Sequence, residues 1–222
     1  MKKPNLIIDF DNTIADSAAT TIQHTWDNHP ATYEGYTYCD YDLLWNFDPF
    51  VKDEHKAETL DYMSTESFFE NLPVAHANGE DPEIALESLK NCLTRLGKNY
   101  NLVLCTNRDG ISFEYVKTWL KAKDIFDLFS NLICVSNFDK SIIQGEVIID
   151  DKVECLLDGD RKIRIPFGGY RYTKDDIYDN LRALTKNNRN VTSFKSWTEF
   201  LKKISDYGVI QSPLDEDETA PY

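Results

Sequence analysis

Five short apolar runs recur along the chain, at 6–10, 102–105, 132–135, 147–149 and 163–167. They are rich in β-branched residues and nearly unalternating, the pattern of parallel strands covered on both faces. Between them apolar residues return at helical spacing. Over 82–96 they are Ile84, Leu86, Leu89, Cys92, Leu93 and Leu96, with Asp81 and Pro82 as a cap and first-turn pair. Over 111–123 one face carries Phe113, Val116, Trp119 and Leu120; over 196–204 it carries Trp197, Phe200, Leu201 and Ile204, with Ser196 as N-cap. Strands alternating with helices predict an α/β sandwich around a mostly parallel sheet, in which ligands bind at the carboxyl ends of strands.

The spacing is irregular in one place. About 90 residues separate the first strand from the second, far more than a crossover needs. Residues 16–80 therefore read as an inserted cap, rich in aromatics that include Trp26, Tyr33, Trp45, Phe47, Phe68 and Phe69. The core is then 1–15 together with 81–207. The remaining stretch, 208–222, holds Asp215, Glu216, Asp217 and Glu218 between two prolines and reads as an acidic, disordered tail.

Composition narrows the function classes. A chain of 222 residues with 41% hydrophobic content can bury a sizeable core. Its net charge of −14 opposes stable nucleic-acid binding, yet leaves room for a small anion at a locally positive site. The five cysteines, Cys39, Cys92, Cys105, Cys134 and Cys155, are scattered and form no Cys-x-x-Cys pair, which predicts reduced thiols. The N-terminus reads as a first strand rather than a signal peptide, and no apolar run approaches the roughly 20 residues needed to span a bilayer. A soluble, cytoplasmic protein without membrane contact is expected. The four histidines, His24, His29, His55 and His76, lack metal-ligand spacing; they are expected to be structural or solvated, and no zinc site is expected.

The chemistry lies where the apolar runs end. The first ends in Asp9-Phe10-Asp11, and side chains alternate along an extended segment, so the two acids share a side while Phe10 turns into the core. Such a pair can hold a hard cation, attack an electrophile and handle protons; it can also serve only as a helix cap or a solvated turn. The second run ends in Thr106, Asn107 and Arg108, where a hydroxyl and backbone N–H groups can meet an anion, although Thr is common at helix starts. Lys140 follows the third, and a lone Lys is usually a surface residue. The fourth ends in Asp150-Asp151, whose mutual repulsion a nearby cation would relieve. Four consecutive strand ends thus supply a nucleophile, a proton shuttle, a metal site and phosphate donors.

This ordered set resembles the haloacid dehalogenase superfamily: the run from Asp9 to Thr13 is similar to its first motif, Thr106 to its second, Lys140 to its third, and Asp150-Asp151 to its fourth. A narrower resemblance links the run from Asp139 to Lys152 (DKSIIQGEVIIDDK), the stretch 67–73 (SFFENLP) and Ser196-Trp197 to 5'(3')-deoxyribonucleotidases. It covers roughly residues 4 to 205. The resemblance implies a Rossmann-like parallel sheet sandwiched by helices, with a mainly helical inserted cap. It implies that Asp9 attacks phosphorus and forms an aspartyl-phosphate, while Asp11 first protonates the leaving oxygen and then deprotonates water. Mg²⁺ would be held by the Asp9 carboxylate, the Asp11 main-chain carbonyl and Asp151, with Asp150 either a ligand or acting through water. Thr106, Asn107 and Lys140 would hold phosphate oxygens, and Lys140 could also support Asp9. Arg108 is a further phosphate candidate or an exposed turn arginine. Trp45 or Phe47 would stack on a base or pack the cap's own core.

The expected activity is hydrolysis of nucleoside monophosphates, and the resemblance also implies a homodimer. Two other enzymatic readings keep the chemistry and change the substrate to a sugar phosphate or a polynucleotide 3'-phosphate. The second of these is disfavoured by the acidic charge and the lack of a basic stripe. A non-catalytic nucleotide-binding regulator is the reading from another class; retention of Asp9, Asp11 and Lys140 together speaks against it.

Overall fold

A computed structural model describes residues 3–36, 50–76, 79–136, 139–157, 159–167, 194, 196–207 and 209. The strands are β1 (Asn5–Ile8), β2 (Asn101–Thr106), β3 (Asn131–Cys134), β4 (Val147–Asp150) and β5 (Ile163–Pro166). The helices are α1 (Ser17–Asn28), α2 (Lys56–Tyr62), α3 (Glu66–Asn71), α4 (Pro82–Asn99), α5 (Gly110–Ala122), α6 (Val153–Leu157) and α7 (Trp197–Lys203). The five strands form one parallel sheet in the order β3-β2-β1-β4-β5. The chain runs outward from β1 to β3 and then crosses to β4, so the switch point lies between β1 and β4. In open parallel sheets a ligand crevice forms at such a point, beyond the strands' carboxyl ends.

Both faces of the sheet are apolar. Leu6 and Ile8 join Leu102, Leu104, Val147 and Ile149 on the face covered by α4, α5 and α7. Ile7 joins Val103, Cys105 and Ile148 on the other, with Val135, Ile143 and Leu156. In α4 the Asp81 side chain accepts from the Glu83 N–H at 2.8 Å, and Ala85, Leu89, Cys92, Leu93 and Leu96 are buried. Ile84, which its spacing assigns to that face, is instead exposed. Ser196 caps α7 as its position predicts, accepting from Glu199 N–H at 3.2 Å.

The first strand stops short of its expected end. Asp9 N–H still reaches the Ile149 carbonyl at 3.0 Å, but then Ile14 and Ala15 N–H groups both turn back to the Phe10 carbonyl, at 2.9 and 3.0 Å. Asn12 takes φ 56°, a left-handed conformation that Asn tolerates better than most residues. Its Oδ1 accepts the Ala18 N–H at 2.7 Å and so satisfies the start of α1. Phe10 is fully buried, edge-on to Trp119 at 5.4 Å. Trp197 Nε1 donates 2.8 Å to the Thr13 carbonyl and pins this turn to α7.

Part of the long segment between β1 and β2 is built into the main core. Phe68, Phe69, Leu72, Val74 and Ala75 pack there, and Trp119 Nε1 donates to the Leu72 carbonyl at 2.8 Å. A smaller cluster, Ile22 and Val51 with Trp26 and Phe50, lies within the segment itself. Among the described residues no helix is long and apolar enough to cross a membrane. Trp45, Phe47, Cys39 and all of the tail except Val209, which is buried, lie outside the described residues.

Candidate active site

The strand ends converge because β1 sits between β2 and β4. Asp9 and Asp11 follow β1, Asn107 and Arg108 follow β2, Lys140 lies beyond β3, and Asp150 and Asp151 close β4. Asp9, Asp11, Asn107, Arg108, Lys140, Asp150 and Asp151 all line one cavity of about 460 Å³, with Leu60, Met63 and Ser64 on another part of its wall. Thr106 lies beneath that loop, fully buried, where its Oγ1 accepts the Arg108 N–H at 3.2 Å.

Lys140 is the interior cation. Its side chain is 2% exposed and its Nζ donates to both Asp9 Oδ1 and Asp150 Oδ2. Burial alone would push its ammonium down. Asp150 and Asp9 outweigh that and hold it well above the ordinary lysine value, so Lys140 stays charged. Arg161 fixes the loop from behind, donating to the Lys140 carbonyl at 2.7 Å and the Gly145 carbonyl at 3.0 Å. Gly145 is needed at this point because a Cβ there would meet the Asn5 carbonyl oxygen and the Ile7 side chain at 3.1 Å.

The acids carry more charge than the neighbouring cations offset. Burial lifts the Asp9 carboxyl to about 7; Lys140 pulls against this, while Asp150 and Asp11 push with it. Asp151 is raised well above the carboxylate range by burial, Asp9 and Asp150. Its Oδ2 accepts from Asn12 Nδ2 at 3.2 Å, and Asp150 Oδ1 accepts the Lys152 N–H at 2.8 Å. Burial would also raise Asp11, but the charge and hydrogen bonds of Arg108 and the Ser17 hydroxyl outweigh it and hold the carboxyl below its usual value. Four carboxyl groups thus share two bonded cations, Lys140 and Arg108, with the Lys152 charge nearby, and the raised Asp9 and Asp151 show that ionising all four needs more positive charge than these supply.

Oxygens of Asp9, Asp150 and Asp151, all buried, lie within 4.8 Å of one another. A buried, hard-oxygen donor set with that charge deficit fits a divalent cation such as Mg²⁺. Asp9 and Asp151 would hold it with Asp150 beside them. Cys155 also lines the cavity, but burial and Asp150 push its thiol upward, so it is no candidate nucleophile at neutral pH.

Sequence spacing did not anticipate the partners from elsewhere in the chain. Arg108 is not an exposed turn residue: its side chain is 9% exposed and bonded to Asp11. Ser17 and Met63 reach the site from α1 and the end of α2. The histidines also meet a carboxylate in a way their spacing gave no sign of. His29 Nε2 lies 2.9 Å from Glu58, and His55 stacks on His29 at 3.8 Å with planes 16° apart. One ring nitrogen of each histidine and a Glu58 oxygen lie within 4.8 Å of one another.

No family model matches the chain, and no curated protein sequence matches it. Solved structures do resemble it. A haloacid dehalogenase-like family hydrolase from Streptococcus pneumoniae superposes with TM-score 0.53 at 15% identity, covering 91% of this chain and 98% of that one. A haloacid dehalogenase family hydrolase from Deinococcus radiodurans R1, solved with bound phosphate and sodium, gives TM-score 0.55 at 12% identity, covering 94% and 98%. The chain has the haloacid dehalogenase-like α/β fold, as its motifs predict.

Proposed function

We propose that this protein is a Mg²⁺-dependent phosphomonoesterase that hydrolyses nucleoside monophosphates through a phosphorylated Asp9. The observation that carries the reading is the bonding of Asp9: a buried carboxylate at the end of the central strand, fixed by Lys140 and facing the cavity with Asp11. Lys140 also supplies positive charge where phosphate oxygens would lie, and Asn107 lines the same wall. The bound cation would offset the repulsion between a phosphate dianion and the acids around it.

Asp9 attacks phosphorus in line, and the bond from phosphorus to the leaving oxygen breaks as that oxygen takes a proton from Asp11. Water then attacks the phosphorus, Asp11 takes the water's proton, and Asp9 is released with inorganic phosphate. Asp11 as held by Arg108 and Ser17 is an acceptor, the form the second step requires; for the first step it takes its proton from a substrate that enters as the monoanion. The substrate class is supported by the cavity's size and by the apolar side chains of Leu60 and Met63 in its lining, which suit a nucleoside better than a small polar alcohol.

The test is phosphate release from deoxyribo- and ribonucleoside 5'- and 3'-monophosphates, sugar phosphates and an aryl phosphate, with Mg²⁺ and with chelator, alongside Asp9→Asn. Metal-dependent release from nucleotides, absent in the variant, is expected. Turnover of sugar phosphates alone would overturn the substrate class, and turnover of nothing would overturn the activity.

A further inference from the structure

We infer that Arg108 is the positioning residue of this site, a fork that fixes the Asp11 carboxylate and the cavity wall at Met63 as one unit. Its Nε donates to both Asp11 oxygens at 3.0 Å, and its Nη2 donates to Oδ1 at 2.7 Å. Its Nη1 donates to the carbonyl of Met63, which closes α2. The guanidinium carbon lies 4.9 Å from the Phe68 ring centroid and 5.0 Å from that of Phe69, two buried rings of the main core. The backbone is tied down as well, through the Arg108 N–H to Thr106 Oγ1. This inference rests on the phosphomonoesterase reading for what Asp11 does, but not for where Arg108 lies.

The arrangement requires arginine. One planar group meets a carboxylate side-on and a carbonyl at another edge while its carbon lies over two aromatic rings; an ammonium is a point charge and cannot satisfy all three. Among the described residues nothing else holds Asp11 comparably. Ser17 bonds one oxygen, and a single hydrogen bond leaves the carboxylate free to turn. Met63, Leu60 and Ser64 line the cavity with Asp11, so the fork ties the group that moves the proton to the segment that would contact the leaving group. Arg108 therefore acts through Asp11 and Met63 and does not act as a clamp on the substrate phosphate.

The two roles separate in kinetics. With an aryl phosphate and Mg²⁺, Arg108→Ala and Arg108→Lys should lower kcat by roughly 100-fold, the scale of a misplaced catalytic group. KM and inhibition by inorganic phosphate should move less than about 3-fold, because the phosphate ligands remain. Free guanidinium should restore part of kcat to Arg108→Ala and none to the double variant with Asp11→Asn, an effect that a general loosening of the fold would not give. A rise in KM and in the phosphate inhibition constant at unchanged kcat would overturn the inference in favour of a phosphate ligand. So would full activity in Arg108→Lys.

If the wild-type protein hydrolyses no monoester, the phosphomonoesterase reading fails. The inference is then decided by unfolding. The effects of Arg108→Lys and Asp11→Asn on stability should be non-additive in a double-mutant cycle, and additive effects would overturn it.

Discussion

Lys140→Met removes the ammonium lying between Asp9 and Asp150 and keeps most of the side chain's length. Removing one partner of a buried ion pair costs about 3–5 kcal/mol, because the abandoned charge stays out of water. For a chain of 222 residues that corresponds to a fall in melting temperature of about 6–20 °C. The loss must depend on pH, and the sign follows from Asp9. Its carboxyl is held up at about 7 in the fold against 3.8 as the ordinary value, so between those limits the native state binds the extra proton. Stability in the absence of metal therefore falls as pH rises across that interval, by about 4 kcal/mol from this group. Without Lys140 the carboxyl rises further and the penalty extends above pH 7.

The assay is denaturant unfolding of both proteins in chelator at pH 8 and pH 5. At pH 5 Asp9 holds its proton in both proteins, so its share of the loss disappears and the total should fall well below that at pH 8. Adding Asp150→Asn to Lys140→Met should recover part of the loss at pH 8. A loss below about 1 kcal/mol at pH 8, or an equal loss at both pH values, would refute the electrostatic account of the site.

Asp9→Asn should abolish phosphate release, a drop of about 10⁴–10⁶-fold in kcat, yet raise the metal-free melting temperature at pH 8, because a buried charge becomes a neutral amide. Mg²⁺ at about 100 times its Kd should stabilise the protein by about 2.7 kcal/mol in a thermal shift, and Asp151→Asn should remove most of that shift. Trp197→Phe should cost about 1–3 kcal/mol in denaturant unfolding, since the buried Thr13 carbonyl loses its donor, and should lower kcat by loosening the turn that carries Asp11.

Much of the site's scaffold was legible in the apolar runs, because parallel strands buried on both faces have little room for polar residues. The pattern put Asp9, Thr106 and Asp150 at the carboxyl ends of strands, and in the structure Asp9 follows β1 while Thr106 and Asp150 end β2 and β4. Strand order was not legible, since nothing in a run such as 147–149 says that it will lie beside β1. The contacts of Arg108 were hidden for a related reason. They join residues brought together by the fold from the turn after β1, the end of α2, α3 and the β2 loop, and a turn arginine looks the same in sequence whether it meets water or Asp11. Ile84 shows the limit of periodicity: it keeps helical spacing in the first turn of α4, where it is more than half exposed. The meeting of His29, His55 and Glu58 has no local signal either, since the two rings come from separate segments.

The central claim is that Asp9 becomes phosphorylated, and peptide mass spectrometry after rapid quench and borohydride reduction tests it most directly. The protein is mixed with Mg²⁺ and its best substrate from the phosphate-release panel, quenched within one turnover and reduced, which converts an acyl phosphate on aspartate to homoserine. The account predicts homoserine at position 9 alone, in proportion to the phosphoenzyme trapped. Phosphate release that continues with Asp9 unmodified and another residue labelled would contradict it.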